Sequence, residues 1–136
     1  MKLGDILFKS LLTAIAVFLI HALLIIIFDI YQYINWIDIP IHFLGGVAIS
    51  LGTIILLNLL ITDQRLQPLP LSIKIILAIT VTLGIAVVWE CYEWLMGYLN
   101  FGIYQESLND TMLDLVMGGS GGILTGLIYL IFYKRK

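Results

Sequence analysis

Three pairs of ionisable side chains stand at helical spacing in this chain. They are Asp38 with His42, Glu90 with Glu93, and Asp110 with Asp114. Residues three or four positions apart lie on the same face of an α-helix, so each pair can present both members to one neighbour. Five carboxylates and one imidazole form a ligand set for one or two divalent cations. Oxygen ligands suit Mg²⁺, Ca²⁺ or Mn²⁺, whereas imidazole favours Mn²⁺, Fe²⁺ or Zn²⁺.

Each member of this set has a predicted role. The expected metal ligands are Asp38, His42, Glu90 and Asp114, and the remaining acids, Glu93 and Asp110, are further ligands or the general base of a metal-dependent reaction. The predicted cofactor is a divalent cation, and the residue types leave the choice among Mg²⁺, Mn²⁺, Zn²⁺ and Fe²⁺ open.

Two other interpretations of these residues stay open. A helix dipole favours acids in the first turn, so Asp38, Asp110 and Asp114 could be hydrated helix caps. Alternatively, the acids could share protons or pass cations, as intramembrane acids do in pumps and transporters. Glu90 and Glu93 weigh against caps, because they fall in the C-terminal half of their helix, where the dipole opposes negative charge.

The elements that would position these pairs are transmembrane helices. Hydrophobic residues make up 61% of the 136 residues and charged residues 12%, with a mean hydropathy of +1.07. Soluble domains contain roughly 45–50% apolar and about 25% charged residues. The composition therefore excludes a soluble globule, a disordered chain and a nucleic-acid-binding domain. Continuous apolar runs favour helices over the alternating strands of a β-barrel.

Four stretches are long enough to cross a bilayer, at about 6–29, 40–61, 72–97 and 110–133. We therefore predict an all-α integral membrane protein, with four transmembrane helices in one compact bundle and one domain over residues 1–136. The first stretch is too long for a signal peptide and no cleavage site follows it, so we predict that it is retained. Pro40 suits the first turn of the second helix, and Asn109 or Asp110 suits the N-cap of the fourth.

The charge distribution predicts the orientation. With both termini in the cytoplasm, every basic residue falls on the cytoplasmic side, as the positive-inside rule requires: Lys2, Lys9, Arg65, Lys74, Lys134, Arg135 and Lys136. The three pairs then lie toward the extracytoplasmic face of the cytoplasmic (inner) membrane, away from any Lys or Arg. An interfacial belt of aromatic residues is predicted on the same face: Tyr31, Tyr33, Trp36, Trp89, Tyr92, Trp94, Tyr98 and Tyr104.

Small and polar residues elsewhere in the helices carry further predictions. Gly118, Gly122 and Gly126 recur every four residues, which lets helices approach closely where lipid supplies no hydrophobic drive. We expect this seam to pack within the molecule, with a homo-oligomer through it as the alternative. His21 could join the polar layer or only bond a neighbouring helix, and Glu106 could gate the site or be hydrated.

The chain resembles the YjdF-like inner-membrane family and, more distantly, VanZ-like proteins. The resemblance spans roughly residues 38–126 and rests on three segments: Asp38-Ile-Pro-Ile-His42-Phe, Trp89-Glu90-Cys-Tyr-Glu93-Trp94, and Asp110-Thr111-Met112-Leu-Asp114 followed by Gly118 and Gly122. YjdF-like proteins are of unknown function, and VanZ-like proteins are associated with low-level glycopeptide resistance. The resemblance therefore implies the same six functional residues and a cell-envelope setting, without naming a reaction.

These features predict a metal-dependent enzyme that acts on a lipid or lipid-linked phosphate, with the bilayer as its surroundings. A bound metal would activate water and neutralise phosphate oxygens. Ion, proton or metal transport is the alternative from another class, and a non-catalytic envelope or resistance factor with a structural metal is the third. The inner half of the helices is apolar apart from Asn58 and Thr53, which disfavours a continuous transport path.

Overall fold

The computed structural model describes residues 1–28, 35–99 and 107–133. In these ranges the chain forms α1 (Leu3–Phe28), a short 3₁₀ turn (Asn35–Ile37), α2 (Asp38–Thr62), α3 (Leu71–Tyr98) and α4 (Leu108–Tyr133). Each α-helix in the described residues is long and apolar enough to cross a membrane. The predicted all-α membrane fold is confirmed, and the helices begin and end within three residues of the predicted bounds.

Local sequence explains where the helices begin and end. Pro40 lies in the first turn of α2, where its missing N–H leaves no hydrogen bond unmade. The chain leaves α2 through Gln64, which has a left-handed φ of 58°. The Arg65 N–H then donates to the Leu60 carbonyl at 2.9 Å, the closing bond of a Schellman motif. The residue at the N-terminal flank of α3 is Pro70.

α4 begins at least two residues earlier than the predicted caps allow. Neither Asn109 nor Asp110 is the N-cap, because both lie inside the helix. The hydroxyl of Ser107 accepts a hydrogen bond from the Asp110 N–H at 3.2 Å, which is the bond that an N-cap makes to the third helical residue. The prediction missed Ser107 because several polar residues in a row offer alternative starting points for one helix.

α2 is the central helix of the bundle. It packs against α1, α3 and α4, and α4 packs also against α3. The α2–α4 contact is close because glycines face it from both sides. A Cβ on Gly46 would overlap the carbonyl oxygen of Gly118, and a Cβ on Gly121 would overlap the backbone of α2 at Phe43.

The predicted glycine seam of α4 packs against α3 of the same chain. Gly118, Gly122 and Gly126 are all buried. A Cβ on Gly122 would lie 3.1 Å from the Thr82 side chain, and one on Gly126 would lie 2.9 Å from Ile75. The seam thus serves intramolecular packing, and an oligomer through these glycines stays an untested prediction.

The N-terminus and the α2–α3 connection lie at the same end of the bundle, which we call the basic end. The amino group of Met1 lies 2.6 Å from Asp63 Oδ1, and Arg65 Nε donates to Asp63 Oδ2 at 2.7 Å. Hydrogen bonds from the N-terminal amine and from Arg65, in that order, hold the pKa of Asp63 below its usual value. Residues Lys134, Arg135 and Lys136 lie outside the described residues.

The basic end also contains a buried polar network that the sequence interpretation missed. Lys74 is only 8% exposed, and its ammonium donates to Asn58 Oδ1 at 2.8 Å. The Asn58 amide donates in turn to the Tyr129 hydroxyl at 3.1 Å. A lysine predicted only to fall on the cytoplasmic side therefore joins α2, α3 and α4 inside the bundle.

Candidate functional site

The three predicted pairs meet at the end of the bundle opposite the basic end. Asp38 and His42 occupy the first turns of α2, and Asp110 and Asp114 occupy the first turns of α4. Glu90 and Glu93 lie near the end of α3, which runs antiparallel to the other two. Helical periodicity turns both members of each pair to one face, and the antiparallel arrangement brings the three faces to the same depth.

Ligand atoms of these residues lie close to one another. Among the described residues, three overlapping trios have one ligand atom from each member within 4.8 Å of the others: Asp38–His42–Glu93, His42–Glu90–Asp114 and Asp38–Asp110–Asp114. The structure thus brings together all six residues that the spacing singled out. We call them the carboxylate–histidine cluster.

His42 stands at the centre of the cluster. Its Nε2 lies 3.4 Å from Asp38 Oδ1, and its Nδ1 lies 3.8 Å from Glu90 Oε1. The residue is 8% exposed, so both ring nitrogens face carboxylates in a site largely closed to solvent. Two of the trios that could hold a metal include this imidazole.

Asp114 is the most deeply buried acid of the cluster, at 2% exposure. Its Oδ1 has no hydrogen-bond partner among the residues that the structure describes. An ionised carboxylate within a bilayer costs several kcal/mol unless a cation, a proton or a hydrogen-bond donor compensates it. Asp114 is therefore too buried to be a hydrated cap. Asp38 and Asp110 are only half-buried, so burial does not exclude that role for them.

Glu93 is oriented by a residue that the sequence interpretation placed elsewhere. Trp89 Nε1–H donates to Glu93 Oε1 at 2.8 Å, and the ring packs against His21 and Phe18 of α1 at centroid distances of 5.4 and 5.8 Å. Trp89 was expected in the interfacial aromatic belt, but it is half-buried and points into the bundle. The four-residue spacing of Trp89 and Glu93 in the sequence was the pattern from which this hydrogen bond could have been predicted.

An apolar cavity adjoins the cluster on the side of the membrane interior. Its volume is about 110 Å³, and His42 forms part of its wall together with Phe18, His21, Gly45 and Trp89. His21 is buried and faces this cavity, and it belongs to none of the metal-competent trios among the described residues. Glu106, Tyr31, Tyr33 and Tyr104 lie outside the described residues.

Comparison with known proteins gives one finding. A family model described as "Predicted membrane protein (DUF2238)" matches residues 5–136, which is nearly the whole chain. No curated protein and no solved structure matches the chain significantly.

Proposed function

We propose that this chain, which belongs to the DUF2238 family of predicted membrane proteins, binds a divalent cation in the carboxylate–histidine cluster and uses it to act on a phosphate-bearing lipid. The observation that carries the proposal is the buried Oδ1 of Asp114, which has no hydrogen-bond donor among the described residues. The Asp114 carboxylate belongs to two of the three trios whose ligand atoms lie at metal-ligand spacing.

A cation from solution is the compensating partner that the charge distribution favours. The described basic side chains are Lys2, which precedes α1, Lys9 in the N-terminal part of α1, and Arg65 and Lys74 at the basic end. Of these, Arg65 is bonded to Asp63 and Lys74 to Asn58, at the far side of the bundle from the cluster. Like charges at short range also disfavour one another's ionised form, and a bound cation would stabilise several ionised acids at once.

We assign the residues of the cluster two roles. Asp38, His42, Glu90 and Asp114 would hold the cation, which would neutralise phosphate oxygens and activate water. Asp110 is half-buried at the open end of the cluster, and Glu93 is fixed by Trp89. In this proposal either carboxylate would take the proton of an attacking water. In that reaction the water oxygen bonds to phosphorus, the bond from phosphorus to the lipid oxygen breaks, and the carboxylate returns its proton to that oxygen.

A continuous cation path across the membrane has less support than a one-sided site. Thr82 donates to the Ala78 carbonyl and Thr125 to the Gly121 carbonyl, so these buried hydroxyls are bonded within their own helices. The buried ammonium of Lys74 stands at the far end of such a path and would repel a passing cation.

Mn²⁺ binding to the purified protein tests the proposal. Electron paramagnetic resonance distinguishes bound from free Mn²⁺, and we expect stoichiometric binding by the wild type that is lost in Glu90→Gln with Asp114→Asn. Asp5→Asn is the matched control, because Asp5 is an exposed carboxylate on α1. Negligible binding by the wild type, or equal binding by the double variant, would refute the metal site.

Predictions about the family resemblance, the cellular setting and the orientation of the chain are also part of this proposal. We take the YjdF-like resemblance and the matched family to be the same, which the shared description as membrane proteins supports. The VanZ-like resemblance, a cell-envelope role and the extracytoplasmic position of the cluster in the cytoplasmic membrane stay predictions. Labelling of single cysteines at positions 36 and 135 from the outside of intact cells tests the orientation, and we expect label only at 36.

A further inference from the structure

We infer that the apolar cavity beside the cluster holds the hydrocarbon chain of a single-chain amphiphile whose phosphate head lies at the carboxylate–histidine cluster. This inference rests on the proposed function, because an anionic head needs the bound cation to approach an acidic cluster. It adds to that function the class of substrate and the part of the molecule that selects it.

The position of the cavity decides the kind of occupant. Its wall is apolar apart from a few side chains, and it lies between α1 and α3, with α2 as its floor. α1 packs mainly against α2, so a gap between α1 and α3 remains along the membrane-spanning part of both helices. A partly open apolar gap at this depth faces lipid rather than water, and hydrocarbon chains are the apolar groups present there.

The cavity has room for part of a chain. A cavity of about 150 Å³ lined by apolar side chains can bind a benzene molecule, so about 110 Å³ accommodates a segment of a few methylene groups. A Cβ on Gly45 would meet no atom within 4 Å. The absence of a side chain at this position therefore helps to keep the cavity open, since a Cβ there would enter free space.

Trp89 connects the cavity with the cluster. Trp89 lines the cavity, and its Nε1–H donates to Glu93 Oε1. His42 likewise belongs to both the cavity wall and the cluster. A chain in the cavity would thus place the head that it carries at the ring of His42, within reach of the carboxylates.

Quenching of Trp89 fluorescence by a brominated chain tests the inference. The double variant Trp36→Phe with Trp94→Phe removes two exposed tryptophans and leaves Trp89 as the only one in the chain. In detergent micelles with Mg²⁺, this protein is titrated with dibromostearoyl lysophosphatidic acid. The corresponding dibromostearoyl monoacylglycerol has the same chain without phosphate, and a brominated alkylamine has a cationic head.

We expect saturable quenching by the lysophosphatidic acid at concentrations at least about tenfold lower than those needed for the monoacylglycerol. In the same background Gly45→Leu, which fills the cavity, should raise the required concentration by a similar factor. Gly84→Leu is the matched control, because a Cβ on Gly84 also meets no atom within 4 Å and Gly84 does not line the cavity. Elution as a single species and an unchanged melting midpoint confirm that the variants are folded.

The outcomes separate this inference from the proposed function. Equal quenching of Gly45→Leu and Gly84→Leu would overturn the chain site, whatever Mn²⁺ binding shows. Quenching that depends on Gly45 but prefers the alkylamine, without a need for Mg²⁺, would overturn the phosphate head. Absence of Mn²⁺ binding by the wild type would refute the proposed function directly. It would also remove the basis for placing the phosphate head at the carboxylate–histidine cluster.

Discussion

Replacing Gly46 with alanine should separate α2 from α4 and weaken the cluster at the same time. Gly46 and Gly118 lie against each other where α2 and α4 pack closely. Each lies one helical turn beyond a cluster residue, Gly46 after His42 and Gly118 after Asp114. A change in the distance between the helices at this point is therefore transmitted to His42 and Asp114.

The geometry sets the size of the effect. A Cβ on Gly46 would overlap the Gly118 oxygen and lie 2.8 Å from its carbonyl carbon. Non-bonded carbons prefer about 3.5–4.0 Å, so the helices must part by at least about 0.7 Å. Overpacking costs about 1–3 kcal/mol, and a rigid backbone obstacle favours the upper end. The better helix propensity of alanine returns about 1 kcal/mol, which leaves a net destabilisation of about 2 kcal/mol.

Gly118→Ala is the matched comparison, because it replaces the glycine on the other side of the same helix contact. A Cβ there would lie 3.6 Å from Ala86 Cβ and 3.7 Å from the His42 carbonyl oxygen, which are ordinary contact distances. We therefore expect this variant to be neutral or more stable by up to about 1 kcal/mol. The two variants differ in sign even though both replace a buried glycine of the same interface.

Reversible unfolding in mixed micelles, by titration with sodium dodecyl sulfate, gives the free energies of unfolding. Mn²⁺ affinity measured on the same samples reports the cluster, and Gly46→Ala should bind Mn²⁺ more weakly than Gly118→Ala. Equal stabilities for the two variants, or a Gly46→Ala protein as stable as the wild type, would show that the α2–α4 approach is not as close as described.

Three further predictions concern single contacts. Trp89→Phe keeps an aromatic ring but removes the donor to Glu93. Glu93 also shares a metal-competent trio with Asp38 and His42, so Mn²⁺ affinity should fall about tenfold or more if Glu93 is a further ligand; unchanged affinity would leave Glu93 only the role of proton acceptor. Asn58→Leu leaves the buried ammonium of Lys74 without its acceptor and should cost about 1.5–3 kcal/mol of unfolding free energy. The double variant Asn58→Leu with Lys74→Met should recover part of this loss. Additive effects of the two substitutions in a double-mutant cycle would contradict the coupling. The lowered pKa of Asp63 means that its ion pairs stabilise the fold above the ordinary aspartate pKa of 3.8, and that this contribution is lost as the pH falls through the lowered pKa. The difference in thermal midpoint between wild type and Asp63→Asn should therefore be present at neutral pH and vanish in strong acid; a difference that grew on acidification would have the wrong sign.

Helical periodicity predicted which faces of the helices meet, but it did not predict where every side chain on those faces points. The spacing of Asp38 with His42, and of the other two pairs, predicted the faces that meet, because a helix fixes which residues share a side. The direction of Trp89 was not predictable in this way. Its ring is amphipathic and suits either the interface or the interior, and the choice depends on Phe18 and His21, which approach from a distant part of the chain.

The helical membrane fold, and the acid and histidine pairs at one level of three helices, could be predicted from the amino-acid sequence without any tertiary contact. Both follow from local quantities, namely the transfer free energy of about 20 consecutive residues and the repeat of the helix. The tertiary structure decided which glycines are obligatory, that Lys74 is buried against Asn58, and that a cavity opens beside His42. These features depend on distances between helices far apart in the sequence, and no local free energy specifies such a distance.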